Sequence, residues 1–243
     1  MSGAAHKSRA AAPDPSPHGE GQVGVADVTL VADLAGALYW PEHALLVVAD
    51  LHFEKGSSFA ARGVLLPPYD TAATLRRLAR VIGRFAPRLV VALGDSFHDG
   101  GGTQRIADTD RATLRTLQRG RDWIWITGNH DPEPAADIGG TFCRMLALGP
   151  LTLRHEPLAD TDEGEIAGHF HPVARVAVRG RSVRRRCFAG DGRRLVMPAF
   201  GAYAGGLNVR VPAIAALFSR SFTAHMLGER RLYPIAAARC LAD

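Results

Sequence analysis

The 243-residue sequence predicts an α/β fold, a four-layer sandwich in which two mixed β-sheets pack face to face with helices outside. Three observations predict it. Short apolar runs at residues 44–49, 89–93 and 123–126 have the length of buried strands. Helical patterns lie between them, giving the strand, helix, strand, helix, strand order of a parallel core. Beyond about residue 141 the helical periodicity fades, and further short runs at 151–153 and 165–167 imply a second, more antiparallel sheet.

Residues 1–22 are rich in Ala, Pro, Gly, Ser and charge without apolar periodicity. They cannot offset the entropy of ordering, so a disordered tail is expected there, followed by one domain over 23–243. Asp70 is placed to cap a helix carrying Leu75, Leu78, Ala79, Ile82 and Phe85 on one face, with Pro87 to stop it. A second helix fits 109–119, closed by Gly120. Gly180 and Gly192 suit turns in the second sheet, and the stretch from Pro212 gives no clear signal. The sequence carries no secretory leader and no bilayer-length apolar run, so a cytoplasmic protein without membrane contact is expected. Cys143, Cys187 and Cys240 are odd in number and unrelated in spacing, which predicts reduced thiols rather than disulfides or a zinc ribbon.

Polar residues able to bind metal recur where these strands end. Asp50 and His52 follow the first run two residues apart, a spacing that turns both side chains to one side of an extended chain. Gly94-Asp95 follows the second run and places a carboxylate able to bridge two cations. Gly128-Asn129-His130-Asp131 follows the third: Asn129 offers a neutral oxygen, His130 an acid of suitable pKa, and Asp131 a carboxylate able to orient it. His155 ends the run that begins at Leu151, and Gly168-His169-Phe170-His171 supplies two more imidazoles. One such residue alone is best read as a satisfied surface or core group. Five motifs in order, each at the strand-end edge where open α/β sheets bind ligands, point instead to a shared site.

The D-x-H, G-D, G-N-H-D, His and G-H-x-H series resembles the calcineurin-like metallophosphoesterase superfamily. The stretches ADLHFEKGSSF, LGDSFHD and MPAFGAYAGG are similar to the bacterial ligase-associated DNA-damage-response metallophosphoesterases. The resemblance implies that Asp50, His52 and His171 hold one metal, that Asn129, His155 and His169 hold the other, and that Asp95 bridges both. It implies His130 as the catalytic histidine and manganese as the activator. It also implies association with a DNA ligase, a helicase and an exonuclease. The sequence departs from many superfamily members three positions after Asp95, where His98 stands in place of an aspartate, with Asp99 next to it. His98, Asp99 and Asp131 are expected to support the ligands from behind.

Two divalent cations roughly 3.5 to 4 Å apart can lower the pKa of a bridging water and clamp the oxygens of an in-line phosphoryl displacement. Two cations, two ligating carboxylates, a hydroxide and neutral His and Asn ligands leave one net positive charge, which suits an anionic phosphodiester. The donor set also accommodates Fe, Zn, Co or Ni.

The net charge is +5, but residues 173–194 hold eight arginines (175, 179, 181, 184, 185, 186, 193 and 194) against Asp191 alone. That surplus of seven leaves −2 for the remainder, so the basicity is one local patch that follows the last metal motif. Guanidiniums grip successive phosphates without reading sequence, which makes single-stranded or flap DNA the favoured substrate for a repair endonuclease. Arginines that guard a sheet edge against aggregation are the alternative. Lys55, Ser57 and Ser58 are expected to open a loop or helix, residues 201–206 a tight turn beneath the sheet, and 160–165 a solvated acidic loop. A small-molecule phosphoesterase and a non-catalytic metal-binding scaffold remain as other functional readings.

Overall fold

A computed structural model describes residues 19–133, 137–160 and 163–243. In β4 (Leu45–Ala49) every residue is buried. Successive side chains point to opposite faces, so a strand apolar throughout must be covered on both sides. Leu45, Val47 and Ala49 enter the core between the two sheets, while Leu46 and Val48 enter a core beneath helices. In β5 (Leu89–Leu93) Val91 and Leu93 face the first core, and Val90 and Ala92 the second.

The first sheet follows sequence order: β1 (Gly21–Val25), β2 (Val28–Ala32), β3 (Leu38–Trp40), β4, β5, β6 (Asp122–Ile126) and β7 (Thr141–Cys143). Its first joins are antiparallel, and those from β4 to β7 are parallel. The helices α1 (Lys55–Ala60), α2 (Asp70–Phe85), α3 (Gly102–Arg105) and α4 (Asp108–Gln118) fall in its crossovers. The tail assigned to 1–22 lies outside the described residues up to 18, and Gly21 and Gln22 belong to β1, paired with Ala32 and Val31.

The second sheet has β8 (Met145–Leu148), β9 (Leu151–Arg154), β10 (Glu165–Ala167), β12 (Arg181–Gly190), β13 (Arg194–Val196), β14 (Thr223–Leu227) and β15 (Leu232–Ala236). The remaining strand, β11 (Val173–Val178), pairs only with the first half of β12 and forms a hairpin that leaves the sheet. At its centre β9, β10 and β13 run parallel, so this sheet also has an edge where strands end together. Its outer face is covered by residues such as Val209, Ile214, Phe218 and Phe222. Among the described residues, helix there amounts to α5 (Pro212–Ala215) and a 3-10 turn at Ala237–Arg239, which makes the fourth layer mostly irregular chain.

Two local expectations are corrected. Asp70 does not cap α2: Tyr69 holds that position without a side-chain bond, and the Asp70 carboxylate accepts the N–H of Gly56 at 3.1 Å instead. The acidic run ending at Glu165 is not solvated throughout. Glu165 is 1% exposed within β10, accepts the Leu158 N–H at 3.0 Å and pairs with Arg154 at 3.5 Å and Arg194 at 3.6 Å. A parallel strand buried on both faces carries it inside, and two arginines match its charge. Cys143, Cys187 and Cys240 are free, and among the described residues no helix is long and apolar enough to cross a membrane.

Removing one partner from a buried ion cluster leaves charge uncompensated, at a cost of about 3–5 kcal/mol. Glu165→Ala is therefore expected to lower unfolding stability by that amount in urea titration. A loss below about 1 kcal/mol would show that Glu165 does not neutralise the pair of arginines.

Candidate metal centre

The polar residues at the strand ends converge. Asp50 follows β4 with His52 just beyond it, Asp95 lies two residues past β5 and Asn129 three past β6, while His155 follows β9 and His169 and His171 follow β10. Both sheets therefore present the carboxyl ends of parallel strands to one crevice. Five of these residues, Asp50, His52, Asp95, His169 and His171, have left-handed backbone with φ between 45° and 69°. Such a conformation costs a non-glycine residue on the order of 1 kcal/mol or more and persists only when surroundings enforce it. It turns each side chain back over the strand end.

The ligand atoms fall into two groups, Asp50 with His52 and His171, and Asp95 with His155 and His169, each group within 4.8 Å of itself. His171 Nε2 lies 3.2 Å from Asp50 Oδ1 and 3.4 Å from His52 Nε2. Asn129 Oδ1 joins the second group at 2.9 Å from His155 Nε2 and 3.0 Å from His169 Nδ1. Asp95 stands between them, with Oδ1 3.4 Å from His155 Nε2 and Oδ2 4.0 Å from His52 Nε2.

The donor chemistry fits cations. His155 Nδ1 donates to the Leu93 carbonyl at 2.9 Å, which leaves Nε2 as the ring atom that faces the crevice. Asn129 Oδ1, Asp95 Oδ1 and His169 Nδ1 surround it at 2.9, 3.4 and 3.2 Å. Four oxygen and imidazole-nitrogen atoms brought this close together are a donor set that suits a divalent cation. The motif glycines serve the same convergence, since a Cβ on Gly128 would collide with Asp95 N and Oδ1, and one on Gly168 with Asp50 Oδ2.

His130 stands beside these groups. Its main-chain N–H donates to Asp95 Oδ1 at 2.9 Å, and its Nδ1 donates to the His98 carbonyl at 2.8 Å. Nε2 is thereby turned towards Asp95 Oδ2, 3.9 Å away, with the side chain 40% exposed.

The family model for calcineurin-like phosphoesterases matches residues 43–181, which span every one of these groups. The chain belongs to the calcineurin-like phosphoesterase family. Among solved structures it is similar to the nuclease MPE of Pseudomonas putida, with TM-score 0.69 and 27% identity, over 89% of this chain and 100% of that one. Among curated proteins it is similar to the probable inactive purple acid phosphatase 29 of Arabidopsis thaliana, 23% identical over 175 residues. That match covers 67% of this chain and 43% of the relative, so the chain spans less than half of that protein's length. The two-sheet α/β architecture is that of the family.

Within this phosphoesterase fold Asp131 and His98 contact the groups around the site, and Asp99 does not. Asp131 does not orient His130. Its carboxylate accepts the N–H groups of Ser96, Phe97 and Gly128 at 2.8, 3.1 and 3.0 Å, tying the loop after β5 to the loop after β6. Burial pushes its pKa up to about 6 against the pull of those bonds. The sequence could not show that the acceptor holding His130 is a main-chain carbonyl. His98 stacks on the His130 ring at 5.1 Å and meets His52 edge-on at 5.4 Å. Burial, then the positive charge of Lys55 and the neighbouring His130, lower its pKa to about 4. Asp99 turns away and pairs with Arg105 at 2.6 Å.

Residues 201–206 are not beneath the sheet. They follow β13 and lie on the crevice side, where Gly201 N–H donates to the Asp50 carbonyl at 3.1 Å and the Tyr203 carbonyl accepts Lys55 Nζ at 3.2 Å. The one sequence signal for this is the short run ahead of them, β13, which opens on Arg194 within the basic stretch. Lys55, Ser57 and Ser58 do open a helix, α1.

The arginines are not one patch. Arg193 and Arg194 pair with Glu163 and Glu165 at the far end of β12. Arg175 bonds Ser182 Oγ at 2.6 Å and the Ala242 carbonyl at 3.3 Å. Arg179 and Arg181 are exposed at the hairpin tip, and Arg184, Arg185 and Arg186 lie at its base.

Burial works to lower the pKa of His171, but its bond to Asp50 and the charges of Asp50 and Asp95 raise it above the ordinary 6.5. An imidazolium cannot ligate a cation, and here it would also occupy Asp50. Cation affinity, read by Mn2+ titration with electron paramagnetic resonance, is therefore expected to fall as pH drops from 8 to 5, with protons released on binding. An affinity constant across that range would remove His171 from the ligand set.

Proposed function

We propose that this phosphoesterase is a binuclear metal-dependent phosphodiesterase acting as a DNA endonuclease in repair, on single strands or flaps. The observation that carries the reading is the convergence of two groups of metal-binding side chains, Asp50 with His52 and His171, and Asp95 with His155, His169 and Asn129, with His130 held beside them. In this reading Asp50, His52 and His171 hold one ion, Asn129, His155 and His169 the other, and Asp95 contacts both. Manganese is the proposed metal. When bound, two divalent cations supply Lewis-acid activation of water and neutralise charge on the phosphoryl oxygens.

The chain's own residues supply the remainder. His130 Nδ1 is committed to the His98 carbonyl, so Nε2 is the atom that faces substrate. As the oxygen of water bonds to phosphorus and the bond to the leaving oxygen breaks, a proton must reach that oxygen, and protonated Nε2 is placed to give it. Asp131 keeps the loops of Asp95 and Asn129 in register. Likeness to a nuclease supports the substrate class; the repair role and the association with a ligase, helicase and exonuclease rest on the sequence resemblance alone.

Asp95→Ala is expected to lose both bound metal and hydrolysis. His130→Ala is expected to keep two metals per chain and lose about 10²–10⁴-fold in cutting of single-stranded DNA with Mn2+, the usual contribution of a positioned acid. Metal content by mass spectrometry of the purified variants, together with cleavage assays on DNA, a generic phosphodiester and a phosphomonoester, checks both. A His130→Ala protein with undiminished DNA cutting would refute the assignment, and activity confined to the phosphomonoester would favour the small-molecule reading.

A further inference from the structure

At the base of the β11–β12 hairpin, Arg184, Arg185 and Arg186 line a cleft of about 370 Å³ together with Val173, Ala204 and Gly205, and among the described residues none lining it is acidic. Each guanidinium is fixed by a main-chain carbonyl. Arg184 Nη2 donates to Gly206 at 2.8 Å, Arg185 Nη1 to Arg184 at 3.2 Å, and Arg186 Nη1 to Ala199 at 2.6 Å. A guanidinium has five N–H donors, so these anchors orient the groups and leave most donors for a ligand. Arg184 also lies 3.7 Å from the exposed Asp243 carboxylate. For Arg186, burial, then the charge of Arg77, lower the pKa to about 10, so it stays charged at neutral pH. Three like charges held together mainly by carbonyls leave a local field that an anion relieves.

The cleft adjoins the metal centre. Val173 is two residues beyond His171, and Gly206 packs so closely on the His171 carbonyl that a Cβ there would collide with it. Leu207 N–H donates to the Phe170 carbonyl at 3.3 Å. One short segment therefore touches both the His171 loop and the Arg184 guanidinium. Leu34 and Leu227 also line this trough, which sets apolar side chains beside the three guanidiniums.

We infer that this trough binds the backbone phosphates of single-stranded DNA next to the phosphate being cut, on the side of the centre formed by His171. The inference rests on the nuclease reading and narrows it. Of the eight arginines in the basic stretch, Arg184, Arg185 and Arg186 track the strand. Arg193 and Arg194 serve the fold, and Arg179 and Arg181 face solvent. A lone phosphate ester would fill only part of the trough, whereas a polynucleotide presents successive charges to its three guanidiniums.

The test compares cleavage of a 20-residue oligothymidylate with that of the dinucleotide, which has one phosphodiester and cannot span centre and trough. Wild type, Arg184→Gln/Arg185→Gln and the distant, exposed Arg119→Gln are assayed with Mn2+ over a range of salt. In the double variant the kcat/KM advantage of the long substrate is expected to shrink at least tenfold. The salt dependence of binding should flatten by about 1.4 in log–log slope, roughly 0.7 for each phosphate that is no longer neutralised. Arg185→Gln alone, at an exposed side chain, should move both in the same direction by less, which separates the effect from misfolding. Arg119→Gln should keep the wild-type ratio and slope. A double variant with wild-type ratio and slope would overturn the inference and leave the nuclease reading standing, as would an equal loss in Arg119→Gln. A wild-type protein that cuts the dinucleotide with no advantage for the longer strand would overturn the nuclease reading and the inference with it.

Discussion

Around His155 Nε2, the oxygens of Asn129 and Asp95 converge to 2.9 and 3.4 Å, and His169 Nδ1 to 3.2 Å. Most of the structure can be understood as the apparatus that sustains this crowding of polar atoms. Left-handed backbone at five ligand positions, glycines stripped to let opposing ligands touch, and Asp131 binding three amides across two loops all act against relaxation. In the proposed reading these atoms would hold two cations, so the fold supplies the donor geometry in advance.

The two sheets explain how so many ligands reach one place. A parallel strand group ends all its strands at one edge, and here each sheet contributes such a group, β4 to β6 from one and β9, β10 and β13 from the other. The core between them is built from Val47, Ala49, Val91, Leu93, Leu153, Ile166 and Leu195, among others. Packing in that layer fixes the relative height of the two edges, and with it the separation of the ligand atoms. Core and catalysis are thus coupled through geometry rather than through any shared polar contact.

The seven proposed ligands are legible in the sequence because polar residues able to bind metal follow apolar runs at one strand end after another. The strands themselves are legible for the same reason. What escapes is every feature decided by a partner distant in sequence. Asp131 looks free to serve its neighbour His130, yet three amides across the site claim its carboxylate. Glu165 reads as solvent-facing within an acidic run, although Arg154 and Arg194 enclose it. The basic stretch counts as one patch because a sequence tally cannot distinguish an arginine bonded to a buried carboxylate from one standing over a trough. Residues 201–206 fall on the other side of the sheet from the one expected because the side is set by the parallel pairing of β13 with β10, well earlier in the chain.

Neither ion's proposed ligand set comes from one sheet: Asp50, His52, Asp95 and Asn129 are contributed by the first, and His155, His169 and His171 by the second. During synthesis from the N-terminus, the chain that has emerged through β7 holds Asp50, His52, Asp95 and Asn129, too few of the proposed ligands to complete either ion's shell. His155, His169 and His171 follow, so both proposed sets are complete only once the chain past β10 is in place. A chain cut short before His155 lacks part of both sets.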